Sequence, residues 1–170
     1  ISDMKYKKIK EIIDIIDEKN KDNSLNKVLG IKKNKTFFPT VASLENVDLS
    51  EYKVIRKNYF ACNLMHVGRD AALPIALSMN ENPFLVSPAY KTFTINKNSG
   101  IEAEYLMSFF QNNELDRYLW FISDVGIRGE LKWERFLEVD VPIPESVGTQ
   151  QSVASTWSSL RNNIDTIQNQ

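Results

Sequence analysis

The stretch 153–167 constrains this chain most. Val153, Trp157, Leu160, Ile164 and Ile167 follow one another at intervals of four, three, four and three residues. That spacing draws one apolar seam along a helix, with Val153, Leu160 and Ile167 at one heptad position and Trp157 and Ile164 at the other. The flanking Ser155, Ser158, Ser159, Arg161, Asn162, Asn163 and Asp165 are polar. Such a helix can lie back on its own domain, or it can project and pair with a second helix. Twenty residues of helix span about 30 Å, longer than a cap on a small domain needs to be. The pattern is still running at Gln170, as in a longer helix that has been cut, and a start at Ile1 likewise reads as a fragment or a trimmed chain.

The residues before the seam read as one globular unit over 1–148, with the helix opening at 149. At 170 residues, 42% hydrophobic and 25% charged, the chain has the size and composition of one folded domain with a real core. KIKEIIDIID reads as a short helix running into a strand, because Ile9, Ile12, Ile13 and Ile16 suit a helix face while Ile13 and Ile15 suit a strand. Val28–Ile31 is a short apolar segment before the loop Lys32–Thr36. Tyr52–Met65 is one or two strands, and Leu73–Met79 and Phe84–Val86 are further short ones broken by Pro74, Pro83 and Pro88. Lys91, Phe93 and Ile95 alternate with Thr92 and Thr94, as in a strand with one face on a core. Ser99-Gly100-Ile101-Glu102 has the form of a capping box, opening a helix whose apolar face is Leu106, Met107, Phe109 and Phe110. A second helix packs Leu119, Trp120 and Ile122. Trp133 and Phe136 mark a third, and Val139, Val141 and Ile143 form a last strand held to an edge by Pro142 and Pro144. Strands first and helices later make the class α+β.

Several chemistries are excluded or weakly signalled. One cysteine, Cys62, and one histidine, His66, rule out an internal disulfide and any Cys-rich or multi-His metal centre. No run approaches the roughly 18 apolar residues of a membrane span, so a cytoplasmic, cofactor-free protein is expected, with no membrane partner. Phosphate-binding glycine loops, nucleophile elbows and H-E-x-x-H are missing. Ser87-Pro88-Ala89-Tyr90 is reminiscent of the amino-methyltransferase [DN]-P-P-[YF] motif, but lacks its second proline and its acceptor for the target amine. Glu130-Leu131-Lys132 has the E-x-K form of metal-dependent nucleases, which also needs an upstream carboxylate such as Asp116 or Asp124. Cys62 and His66 could pair as nucleophile and base, or Cys62 could be a small buried apolar residue. Net charge is −1, yet residues 1–35 carry ten lysines against six acids, and Lys53, Arg56, Lys57 and Arg69 cluster further on. A near-neutral chain can hold nucleic acid if its basic groups share a face.

Four segments carry a family resemblance. LSEYKVIRKNYFACNLMHVGRDAALPIAL (Leu49–Leu77) closely resembles the target recognition domains of type I restriction-modification specificity subunits. KTFFPTVASLEN (Lys35–Asn46) is similar to the segment just upstream in that family. Ser87-Pro88-Ala89-Tyr90 with EYLMSFF and DRYLWF resembles its middle. Arg128–Glu134, then Val141-Pro142-Ile143-Pro144 and Gln150-Gln151, resembles its exit into a conserved helix, although the family usually has an acidic residue where Gln150 stands. The likeness covers about residues 17–170.

This resemblance implies a target recognition domain over 1–148 and the start of a spacer and dimerisation helix over 149–170. Double-stranded DNA is then the ligand, with methyltransferase subunits and, through the complex, a restriction subunit as partners. A second specificity half or a second copy would pair through the helix, at Val153, Trp157, Leu160, Ile164 and Ile167. No residue of the chain is then catalytic or metal-binding, since the chemistry lies on other chains. Direct readout favours the Arg69 loop: Asn63, His66 and Arg69 can reach base edges, with Gly68 allowing a tight turn. Alternatively Asp70 pairs with Arg69 and the loop is a scaffold. Lys32, Lys33 and Lys35 are candidate phosphate contacts, and Arg128 and Lys132 form a second candidate loop. Two rivals stay open: a nuclease using Glu130 and Lys132, and a non-catalytic coiled-coil adaptor.

Overall fold

The computed structural model describes residues 5–123 and 129–168, without the side chains of Trp157, Ser158 and 161–168. Its centre is a four-stranded antiparallel sheet. The strands are β2 (Ile13–Ile16), β6 (Phe60–Cys62), β7 (Ile75–Leu77) and β9 (Lys91–Ile95), in the order β2-β9-β6-β7. Strand alternation sends Phe60, Cys62, Ile75 and Phe93 to one face and Ala61 and Ala76 to the other. Both faces are covered, which explains why FAC and IAL read as unbroken apolar runs.

Helices cover the first face: α1 (Ile9–Ile12), α3 (Ala103–Phe110), α4 (Asn113–Ile122) and α5 (Trp133–Leu137). Phe60 stacks on Phe93 at 5.0 Å between ring centroids, and Phe110 and Phe136 close around Phe93. Ile9, Ile12 and Leu106 complete this core without exposure, each contributing about 1.5–3 kcal/mol by burial. Two antiparallel strand pairs cover the second face: β3 (Leu29–Ile31) with β4 (Phe37–Pro39), and β5 (Lys53–Ile55) with β8 (Phe84–Val86). Small Ala61 and Ala76 let Leu29, Ile31, Ile55, Phe84 and Val86 pack close against the sheet. A separate ribbon joins β1 (Lys5–Lys8) to β10 (Asp140–Ile143), so the proline-bearing strand pairs on one side only. The class is α+β.

Most expected elements are present, including the helix-to-strand switch within KIKEIIDIID. Some details differ. Ser99 does not cap α3: the helix starts later, from Glu102, and Ser99 Oγ accepts from the Ile101 amide at 3.2 Å. The Glu102 amide donates instead to Gln150 Oε1 at 2.9 Å. Trp120 is not packed inside but 53% exposed, because the apolar face of α4 passes through Leu115 and Leu119. Strands β1 and β4 have no apolar alternation to announce them: KYKK is basic, and FFP ends on a proline.

Candidate nucleic-acid interface

The one-turn helix α2 (Val67–Asp70) carries Arg69. It is built from its own backbone: the amides of Arg69 and Asp70 both donate to the His66 carbonyl, at 3.1 and 2.9 Å. Ala71 then reverses the chain at φ +53° and donates to the Val67 carbonyl. Asn63 Oδ1 accepts from the Met65 amide at 3.0 Å, tightening the entry. Asn63 and His66 are half-buried, whereas Arg69 is exposed. The guanidinium grips Asp70 through Nε at 3.0 Å and through NH2 at 3.4 Å. The Asp70 carboxyl is held below its ordinary pKa, first by that Arg69 hydrogen bond, against the opposing effect of burial, and then by the nearby charges of Arg69, Lys33 and His66.

A second loop is clamped to the first. The Gly68 amide donates to the Gly129 carbonyl at 2.7 Å, and the Leu131 amide to the Leu64 carbonyl at 2.9 Å. A Cβ on Gly68 would lie 2.8 Å from the Gly129 Cα, and one on Gly129 would lie 2.8 Å from the Arg69 amide nitrogen. Gly68 thus serves a backbone-to-backbone approach, not the tight turn its sequence context suggests. Glu130 and Lys132 follow on this loop and are exposed; Arg128 lies outside the described residues.

Lysines 32, 33 and 35 part company. All sit on the turn between β3 and β4, closed by the Lys32 amide to Thr36 carbonyl bond at 2.9 Å. Lys32 reaches over the Phe38 ring at 5.4 Å, and Lys33 is exposed. Lys35 corrects the expectation of a phosphate contact: it is only 5% exposed, at φ +64°. Its ammonium donates to Asp116 Oδ1 at 2.9 Å and to the Leu73 carbonyl at 3.0 Å. An ammonium held in this interior pair has no surface to offer a phosphate. Elsewhere the expected basic cluster is divided into pairs: Arg56 forks onto Glu18, Lys57 meets Glu81, and Lys53 donates to the Tyr90 carbonyl.

The same geometry bears on the catalytic rivals. Asp116, 8% exposed, is held by Lys35 and by the Leu73 amide, so it cannot complete an E-x-K metal set; Asp124 lies outside the described residues. Among the described residues no group of three or more His, Cys, Asp or Glu is placed to hold a metal. Burial pushes the Cys62 thiol up to about 12, leaving it a poor nucleophile. Ser87 and Tyr90 shape the turn between β8 and β9: Ser87 Oγ accepts from Ala89, and Tyr90 Oη accepts from the Ile31 amide.

The C-terminal helix α6 runs Val147–Gln168, 22 residues, about 33 Å. Its first turns lie on α3. Gln150 is buried, and while its Oε1 takes the Glu102 amide its Nε2 donates to the Gly100 carbonyl at 2.9 Å. Ala154 is buried and Val153 packs on the main core. Leu160, two turns on from Val153, is 49% exposed. The side chains of Trp157, Ile164 and Ile167 lie outside the described ones. Gln150, Asp116, Trp120 and Gly129 carry no sequence signal as site-shaping residues, because each acts through a partner far off in the chain.

No family model matches the sequence, and no curated protein matches it either. Solved structures do resemble the fold. A chain from a type I R-M system, studied for complex assembly and conformational transition, aligns with a TM-score of 0.62 at 10% identity, over 99% of this chain and 41% of that one. The HsdS subunit from Thermoanaerobacter tengcongensis aligns at 0.58 and 10% identity, over 99% and 40%. The type I restriction-modification S subunit from M. genitalium aligns at 0.58 and 13%, over 99% and 41%. At these identities the likeness is one of fold. The chain has the fold of a part of these subunits, and spans about two fifths of their length. No helix among the described residues is long and apolar enough to cross a membrane.

Proposed function

We propose that this chain recognises a DNA sequence as one half of a type I restriction-modification specificity subunit. The observation that carries the reading is the alignment of 99% of the chain with two fifths of several such subunits. The clamped loops supply the reading surface. Arg69 and His66 reach base edges, Lys32, Lys33 and Lys132 hold phosphates, and Arg128, outside the described residues, is a further DNA contact by its charge. Asn63 shapes this surface through its bond to Met65. The recognition domain, expected over 1–148, takes in the first turns of the helix that starts at Val147, and that helix pairs antiparallel further on with a like helix, from a second half or a second copy, through Leu160, Ile164 and Ile167. The complex adds methyltransferase and restriction subunits, acts in the cytoplasm, and takes all its catalysis from them. This chain needs no cofactor and no metal of its own.

The test is selection from a random duplex pool by the purified chain, with and without its methyltransferase subunit. Enrichment of one short motif is expected. Recovery of unselected sequence in both arms would overturn the reading. Mg²⁺-dependent cleavage abolished by Glu130→Ala would replace it with the nuclease.

A further inference from the structure

Helix α4 holds both DNA-facing loops from one side. Asp116 and Trp120 are four residues apart, so they project from the same face one turn from each other. Asp116 receives the Lys35 ammonium at 2.9 Å and the Leu73 amide at 3.2 Å, fixing the turn that presents Lys32 and Lys33. Trp120 Nε1 donates to the Gly68 carbonyl at 3.0 Å, fixing the peptide that precedes Arg69. The same glycine's amide goes to Gly129, so the second loop is tied to that anchor as well.

The helix itself is a firm support. Leu115 and Leu119 anchor it in the core, Asn112 caps it by accepting from the Glu114 amide at 2.9 Å, and Arg135 donates to the Ile122 carbonyl at its other end. Neither anchor is explained by packing alone. A Lys–Asp pair in the interior is commonly no more stabilising than apolar residues of similar size. Trp120 leaves half its surface in water, so its indole N–H has solvent as an alternative partner.

We propose that α4 is the gauge that sets the spacing between the phosphate-binding turn at Lys32–Lys33 and the base-reading loop at Arg69, with Asp116 and Trp120 as its positioning residues. The inference rests on the DNA-recognition reading above. Releasing one anchor frees one loop only, so the two anchors have separable signatures. Without the Trp120 bond, Arg69 loses its register while the lysines keep their phosphates. Without the Lys35–Asp116 pair, Lys33 drifts while Arg69 stays.

The experiment uses the whole chain, the duplex most enriched by the wild type from a random pool, and a scrambled duplex of equal length. Trp120→Phe keeps a ring and removes the N–H. Lys35→Met with Asp116→Asn removes the pair and keeps an acceptor for the Leu73 amide. For Trp120→Phe, the affinity ratio between the two duplexes should fall about tenfold, the worth of one base contact, with the salt slope unchanged. For the double variant the salt slope should fall by about one unit, with a smaller change in the ratio. If the double variant does not fold, Trp120→Phe decides alone. Lys33→Ala and Arg69→Ala are the controls. If they shift slope and ratio while the anchor variants shift only the melting temperature, α4 is not the gauge and the DNA reading stands. If the wild type shows no preference between duplexes, the DNA reading falls and this inference with it.

Discussion

Arg69 points its charge to solvent although Asp70 already accepts two of its hydrogen bonds. The pairing orients the guanidinium and takes up only part of its N–H groups, and on the proposed function the others read a base edge. Arg69→Ala should therefore weaken binding to the preferred duplex by about 1–3 kcal/mol, measured by fluorescence anisotropy, with little change in melting temperature. A drop in melting temperature with affinity intact would make the loop a scaffold. Lys33→Ala should weaken preferred and scrambled duplexes alike and lower the salt slope by about one unit. Lys35, two positions on, should behave oppositely. Lys35→Met alone strands the Asp116 carboxylate in the interior, at a cost of about 3–5 kcal/mol. At about 2–4 °C per kcal/mol for a domain of this size, calorimetry should show a large loss of melting temperature. Near-wild-type melting with impaired DNA binding would return Lys35 to the surface. In sequence the three lysines are one basic run. The interior one is not distinguishable there, because its burial depends on Asp116, far off in the chain and brought near only by the fold.

At the scale of elements, the two candidate loops act as one because two glycines meet. A side chain on either enters backbone space 2.8 Å away. Gly68→Ala should cost about 1–3 kcal/mol, as overpacking does, and Gly129→Ala should cost more, since φ is +62° there. Thermal melting of the two variants checks the order. Equal, negligible losses would mean the loops separate freely. Elements set by local chemistry were readable in the chain: the helix-to-strand switch at Ile12–Ile13, the alternation of β9 and the one-sided pairing of β10. What escaped depends on contacts between distant segments. Ser99 and Glu102 fit a capping box, yet the cap comes from Gln150, a residue of another helix. Gly68 looked like a turn, and its real constraint is Gly129.

At the scale of the molecule, the heptad seam divides between two roles that the spacing alone cannot separate. Val153 is half-buried against the domain core, and the buried Gln150 and Ala154 hold the same turns onto α3. Leu160 does not share that fate, being 49% exposed. On the proposed reading, the pairing of this helix of about 33 Å falls beyond its first turns, where Leu160 is exposed. Leu160→Asp with Ile164→Asp should therefore abolish self-association or pairing with a second half, read by sedimentation. The melting temperature of the domain and binding to a single half-site should be kept. Val153→Asp should do the reverse, lowering the melting temperature through a charge placed against the core. A Leu160/Ile164 variant that melts early and was monomeric before substitution would mean that the whole helix packs on its own domain. The division has a geometric consequence. Because the first turns are fixed to α3, the helix direction is set by the domain, and each residue added beyond Leu160 moves a paired domain by about 1.5 Å. Inserting four residues there should move the two halves of a bipartite site apart by about 6 Å. The selected DNA should then carry the same half-site motifs with a spacer roughly two base pairs longer, at about 3.4 Å each. An unchanged spacer would mean that something other than this helix sets the distance.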